Sequence, residues 1–326
     1  MHDIISIGSS TKDVFLVSKN FKLIKSSEFK TGVGECFAYG SKVELGDIYF
    51  DTGGGATNSV YTFANLGLSP AVVSRVGKDI YGLEIMHTLA DKKIDISQLI
   101  ADKNHKTAYS TILLMPEGDR TVLVYRGASA NFSEKEINWP KLKTKWFYLT
   151  SLAGNLKLLN KIFAFAKKKK IKISWNPGSD ELNLGIKKLK NLIRQTYIFN
   201  LNKEEAQKLT GQKEIKAIFK ELNHLSPGYN LVTDGANGAY LSDGTLIYYT
   251  KALSSKAINT TGAGDAFGSG FCTGMILKND WDYGLRLAIL NANGVIQRMG
   301  AKNGLLKHLP KQSDLGKVRI TILSTK

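Results

Sequence analysis

Trp146-Phe147-Tyr148-Leu149-Thr150, Ile171-Lys172-Ile173-Ser174-Trp175, Tyr197-Ile198-Phe199 and Asn230-Leu231-Val232-Thr233 are four short apolar runs, separated by helical patterns at 155–168, 181–194 and 203–224. Runs of this length bounded by turn residues read as buried strands. Their alternation with helices predicts an α/β fold, a three-layer, doubly wound and mainly parallel sheet. In such a sheet, ligands bind outside the carboxyl ends of the strands, so the segments just after each run are where chemistry is sought.

Two of those segments carry candidates. Asn202-Lys203-Glu204-Glu205 follows the third run and opens a helix over Glu204–Leu209. Its Asn-x-x-Glu spacing suits a capping box; Glu205 is equally placed to hold magnesium through water, because that ion keeps much of its hydration shell. Thr233-Asp234-Gly235-Ala236-Asn237-Gly238 follows the fourth run. It reads as a β-turn, or as a threonine and glycine backbone offered to a nucleotide phosphate.

Further on, Asn259-Thr260-Thr261-Gly262-Ala263-Gly264-Asp265 runs into the apolar Ala266–Leu277. A helix start leaves N–H groups unpartnered and carries the positive end of the dipole, and glycines let an anion come close. Asp265 is the odd member, since a bound anion repels a carboxylate. It reads either as a helix cap or as a base that takes a proton from an attacking hydroxyl. Gly268, Gly270 and Gly274 permit close packing on the sheet. A last helix over about 282–299 carries the core stripe Leu285, Ala288, Ala292, Val295 and Met299.

Toward the N-terminus, Asp3–Gly8 reads as a buried first strand, and Asp13 follows a Ser9-Ser10-Thr11-Lys12 turn. Asp13 is either a turn carboxylate or an acceptor for ligand hydroxyls. Gly53-Gly54-Gly55-Ala56-Thr57-Asn58 opens a helix closed by Gly67. The strand-rich stretch 14–50, with runs at Val14–Val17, Cys36–Tyr39 and Ile48–Phe50, is an inserted β lid. Ala108–Leu114 and Thr121–Tyr125, joined by a turn at Pro116-Glu117-Gly118-Asp119, complete it, so the lid spans about 14–50 and 108–126. No linker or repeat interrupts the rest, which predicts one domain over residues 1–326.

The bulk numbers bound the function. The 326 residues bury a sizeable core. Cys36 and Cys272 are too few for a disulfide framework, and the five histidines form no metal spacing. The start lacks a signal-peptide pattern, and no apolar run approaches membrane length, so a cytoplasmic location without a membrane partner is expected. The formal charge of +17 comes mostly from lysine runs such as Lys167–Lys170. Aromatics are not interleaved with them as in a strand-binding groove, so no nucleic-acid partner is expected.

Taken in order, the glycine cluster Gly53–Asn58 with Gly67 and Gly77, the Asn202–Gly211 helix, Thr233-Asp234-Gly235 and Thr260–Asp265 resemble the ribokinase-like (PfkB) family of carbohydrate and nucleoside kinases. The resemblance covers nearly the whole chain. It implies transfer of the γ-phosphoryl group of ATP, with Mg2+, to a hydroxymethyl group of a sugar (ribose, fructose or a related one), with a nucleoside as the alternative acceptor and a non-catalytic sensor as a remoter one. It makes Asp265 the general base, with Gly262, Ala263 and Gly264 as the anion hole. Asp13, Gly54, Gly55, Asn58 and Arg126 would bind the acceptor, Arg126 having a lid-edge salt bridge as its rival role. Asn202, Thr233, Gly235, Gly238 and Thr261 would hold the nucleotide, and Glu205 the magnesium. Two departures stand out. Asn259 replaces an aspartate that many members carry, which leaves open a potassium site at Asn259 and Thr261. Gly55 replaces the lysine of ribokinases proper. A lid with an exposed apolar face would favour a homodimer through the lid.

Overall fold

The computed structural model describes residues 1–29, 31–115 and 120–323. The strands, in chain order, are β1 (Ile4–Ile7), β2 (Thr11–Val17), β3 (Lys22–Lys25), β4 (Val33–Cys36), β5 (Asp47–Gly53), β6 (Pro70–Gly77), β7 (Asp95–Asp102) and β8 (Ala108–Leu114). They continue with β9 (Arg120–Tyr125), β10 (Trp146–Leu149), β11 (Lys172–Trp175), β12 (Ile198–Asn202), β13 (Tyr229–Thr233), β14 (Ala239–Ser242), β15 (Ile247–Thr250) and β16 (Ile320–Leu323).

The main sheet has the order β7-β6-β1-β10-β11-β12-β13-β14-β15-β16. From β7 to β13 all neighbours are parallel, and β14 to β16 return antiparallel. β1 and β10 are buried along their whole length, as strands covered by helices on both faces must be; the one hydroxyl in β1, that of Ser6, is hydrogen-bonded to Ser59. The chain runs outward from β1 to β6 and β7, then restarts at β10 on the other side. The carboxyl ends of β1 and β10 therefore flank a topological switch point, where a crevice opens.

Two expected helices are each broken in two by glycine. The 181–194 pattern is Ser179–Asn183 plus Ile186–Ile193, split at Gly185 with φ +80°; the 203–224 pattern is Lys203–Thr210 plus Ile215–Leu225, split after Gly211 with φ +72°. Only glycine takes that left-handed backbone without strain. The helices Ala263–Lys278 and Trp281–Ile296 pack on each other. A Cβ at Gly270 would stand 2.9 Å from Ala288, and one at Gly274 2.4 Å from Gly284. Those two glycines serve the helix pair, not the sheet as the sequence suggests. Gly268 alone faces the sheet, where a Cβ would meet the Tyr148 hydroxyl at 2.4 Å.

The lid is a four-stranded sheet, β5-β2-β8-β9, with the separate β3–β4 ribbon beside it. β2 and β5 reach further inward than the expected limits at 14 and 50, taking in Thr11–Asp13 and Asp51–Gly53. Asp13 is thus a strand residue, not a turn residue, and stands opposite Asp51 in register. Of the Cys36–Tyr39 run only Cys36 is in a strand. The turn expected at Pro116–Asp119 lies outside the described residues.

Candidate active site

Two helix starts face each other across the crevice. The helix Gly55–Asn65 begins at Gly54 with φ +95° and is pinned to the sheet by Phe63, whose ring meets Tyr148 edge-on at 5.4 Å. The helix Ala263–Lys278 begins at Gly262 with φ +83°. Neither start has a side-chain cap. Asp265 therefore does not cap its own helix. Its Oδ2 accepts a hydrogen bond from Asn58 Nδ2 at 2.9 Å, joining the two helices across 207 residues of chain. Burial raises the Asp265 pKa, and the charge of Asp13 adds to the rise; the Asn58 bond and the Lys302 charge oppose it. A raised carboxylate pKa brings the group nearer to a working base.

The glycines differ in what surrounds them. A Cβ on Gly262 would stand 2.5 Å from Ala301, and one on Gly54 2.5 Å from the Ser9 carbonyl. A Cβ on Gly55 would meet Thr150 at 2.7 Å, so the lysine of ribokinases finds no room here unless Thr150 moves. Around Gly264 there is open space. Asp13 is buried at the base of β2, where its Oδ1 accepts from Thr11 Oγ1 at 2.8 Å. Burial raises its pKa as well.

At the ends of β12 and β13 the second group assembles. Asn202 and Thr233 are register partners. Asn202 Oδ1 accepts from the Glu205 N–H at 2.8 Å, and Glu205 Oε2 accepts from the Asn202 N–H at 2.9 Å. The capping box is real, and it engages only one carboxylate oxygen. Burial pushes the Glu205 pKa up, and the Asp265 charge contributes to that shift, so the two carboxylates share one electrostatic environment. Gly235 has φ +52° with open space where a Cβ would be, whereas a Cβ on Gly238 would strike the Thr250 carbonyl at 2.1 Å. Gly235 is thus free for a ligand, and Gly238 serves the turn. A free Glu205 oxygen and the open backbone at Gly235 and Gly264 fit a water-bridged magnesium ion and a polyphosphate.

The monovalent cation fares differently. Asn259 Oδ1 accepts from the Thr261 N–H at 3.0 Å, which fixes the amide orientation. That leaves Nδ2, a donor, buried without a partner among the described residues. A donor aimed into a buried space suits an oxygen, not a cation. The side chain at 259 does not fit potassium, whereas Thr261 Oγ1, also buried without a partner among the described residues, keeps an acceptor for it.

Arg126 pairs with Asp180 on the body at 2.9 Å. It also lines a small cavity of about 50 Å³ with Ser9, Thr11 and Ser129. A second lid arginine, Arg120, donates to Thr260 Oγ1 beside the anion-facing helix start. Sequence reasoning missed Asp51 and Lys302, both in the crevice. For Asp51 the signal was its place: β5 is exposed from Asp47 to Phe50 and turns inward from Asp51, just before the glycine cluster. Lys302 lacks one, being one lysine in a lysine-rich chain.

A helix start open to an anion, a carboxylate in its first turn and a crevice roofed by a β sheet define the class: an α/β phosphotransferase that uses an alcohol as acceptor. Residues 1–308 match the model of the pfkB family carbohydrate kinases, and the chain belongs to that family. Among its relatives, a fructokinase of Klebsiella pneumoniae is 26% identical over 280 residues, covering 81% of this chain and 90% of the relative. The fold is similar to that of a Methanocaldococcus jannaschii nucleoside kinase (TM-score 0.77, 20% identity, 97% of each chain). It is equally similar to an Arabidopsis thaliana ribokinase complexed with ribose and ATP (TM-score 0.77, 19% identity, 97% of this chain and 98% of that one).

Proposed function

We propose that this protein transfers the γ-phosphoryl group of ATP, with Mg2+, to a hydroxymethyl group of a sugar, and that residues 1–326 act as one catalytic unit beneath the lid. Asp265 takes the proton as the hydroxyl oxygen attacks phosphorus; the new P–O bond forms as the bond to the ADP oxygen breaks. The N–H groups of Gly262, Ala263 and Gly264 stabilise the charge on the transferring group, where positioning and electrostatics supply most of the catalysis. Magnesium, held through water at Glu205, would neutralise phosphate charge. Asn202, Thr233, Gly235 and Thr261 bind the nucleotide, and Asp13, Gly54 and Asn58 the acceptor hydroxyls.

One observation carries this reading: Asp265 lies in the first turn of an open helix start, and the Asn58 amide, not the helix, holds its carboxylate. The experiment is Asp265→Asn assayed with ATP, Mg2+ and a panel of sugars. Turnover falls by about 10²–10⁴-fold, the range for a lost general base, while ATP binding persists. Unchanged turnover would remove the assignment.

The homodimer belongs to the same reading. Val122, Leu123, Val124 and Tyr125 of β9 and Ile48, Tyr49 and Phe50 of β5, the two edge strands of the lid sheet, are exposed, and exposed apolar side chains gathered on one sheet suit an interaction surface. Analytical ultracentrifugation of Leu123→Glu tests it: the wild type sediments as a dimer and the variant as a monomer. A monomeric wild type ends the idea.

A further inference from the structure

Asp13 and Asp51 stand directly opposite each other where β2 pairs with β5. Like charges in that position repel, so the pairing needs a counter-charge. Lys302 provides it from a third element, the segment after the Trp281–Ile296 helix. Its Nζ lies 3.6 Å from Asp51 Oδ1, with the side chain only 6% exposed. Asp13, Asp51 and Asp265 all lie close enough to favour its charge, while burial opposes it.

That salt link leaves hydrogen-bonding capacity unused. Lys302 Nζ, Asp51 Oδ2 and Asn58 Oδ1 are all buried without a hydrogen-bond partner among the described residues. The Tyr61 ring lies beneath the ammonium, at 5.5 Å. Buried polar atoms normally find partners. These three belong to one linked group, Lys302 to Asp51 by the salt link and Asn58 to Asp265, whose charge acts on Lys302, so the unused donor and acceptors point to a ligand. The ligand has hydroxyls to give to Asp51 and Asn58, and an oxygen to accept from Lys302. Its charge is bounded too. Around Lys302 stand three carboxylates, Asp13, Asp51 and Asp265, against its single ammonium, and an anionic substituent placed among them would enter against their field.

Building on the kinase reading above, we infer that Asp51 and Lys302 form an acceptor subsite that selects an uncharged polyhydroxy molecule and rejects sugar phosphates and sugar acids. The pair also completes the wall that Asp13 and Asn58 begin, so the lid base and the C-terminal segment both contact the acceptor.

The test is initial-rate kinetics with ATP and Mg2+ on wild type, Asp51→Asn and Lys302→Met, using D-fructose, D-ribose, adenosine, fructose 6-phosphate and gluconate. Wild type turns over at least one neutral acceptor and neither anion. Each variant raises the KM for that acceptor tenfold or more with the KM for ATP within twofold. Asp51→Asn keeps the shape of the side chain, so it carries the test if Lys302→Met fails to fold. Preference for fructose 6-phosphate or gluconate overturns the subsite while leaving the kinase reading intact, as does an unchanged acceptor KM in Asp51→Asn. Turnover of no acceptor, with ATP still bound, overturns the kinase reading and this inference with it.

Discussion

The two helix starts that face each other across the crevice share a signature and differ in accessibility. Both begin at a glycine with positive φ, Gly54 and Gly262, and neither has a side-chain cap. At the first, Ser9 closes the end: its Oγ accepts from Gly55 N–H at 3.2 Å and its carbonyl from Ala56 N–H at 3.1 Å. At the second, Ala263 N–H makes only a long 3.3 Å bond to the Thr260 carbonyl, which a phosphoryl oxygen can displace, and the space beside Gly264 is open. A glycine-rich helix start is thus an anion site only when nothing of the protein's own already fills it. The first start has become a wall that carries Asn58; the second keeps its dipole for a ligand.

The largest way to break that division is at the carboxylate that joins the two helices. Beyond its loss of turnover, Asp265→Asn changes stability in a defined direction. The folded state raises the Asp265 pKa, so it binds the proton more tightly than the unfolded chain does. Stability therefore falls as pH rises from the ordinary aspartate value to the raised one, and stays lower above it. The variant escapes this and melts higher than wild type at neutral pH, a gap that closes as the buffer is taken below the ordinary aspartate range. Thermal melts across pH check this; a variant that melts lower at pH 7 contradicts it. In the active enzyme the same shift puts the acidic limb of the kcat/KM profile above the usual carboxylate range.

Next in size is Gly264→Ala. Its Cβ enters open space, so folding is spared, but it stands where a phosphoryl group would approach. The N–H stays, but the methyl keeps the phosphoryl group from reaching it, so turnover drops by about 10²–10³-fold, the size of a lost oxyanion-hole donor, with the melting temperature little changed. Gly54→Ala gives the mirror image. At φ +95° and 2.5 Å from the Ser9 carbonyl, the new methyl strains the backbone by roughly 1–3 kcal/mol. Its first effect is a lower melting temperature. Equal behaviour of the two variants would erase the distinction between an open and a filled helix start.

Those two glycines also mark how far the sequence could be read. The parallel half of the sheet was legible because strands buried on both faces are short, apolar and separated by helical periods, as at Trp146–Leu149 and Ile198–Asn202. The helix breaks at Gly185 and Gly211 were in plain view but submerged in otherwise continuous periodicity. Asp265 was legible as a candidate because a carboxylate is chemically odd in an anion-facing motif. Nothing local separates Gly54 from Gly264, because Ser9, which fills one of them, comes from a distant turn. Lys302 was illegible for the same reason: β2, β5 and the helix carrying Tyr61 bury it, and none of them is near it in sequence.

The smallest expected effect lies at the mouth of the open helix start, where Asn259 turns a donor into buried space. Changing Asn259→Asp replaces that unpartnered N–H2 with an oxygen and adds a charge, so the space becomes suitable for a cation. In the wild type, potassium leaves both turnover and melting temperature where tetramethylammonium at equal ionic strength leaves them. In the variant, potassium at about ten times its dissociation constant adds about 1.4 kcal/mol of stability, the amount that binding only to the folded state supplies. A wild type that potassium stabilises as strongly as the variant would show that the Thr261 hydroxyl and backbone carbonyls hold the ion. In that case the Asn259 side chain is irrelevant to cation binding, and the open helix start works next to a bound positive charge.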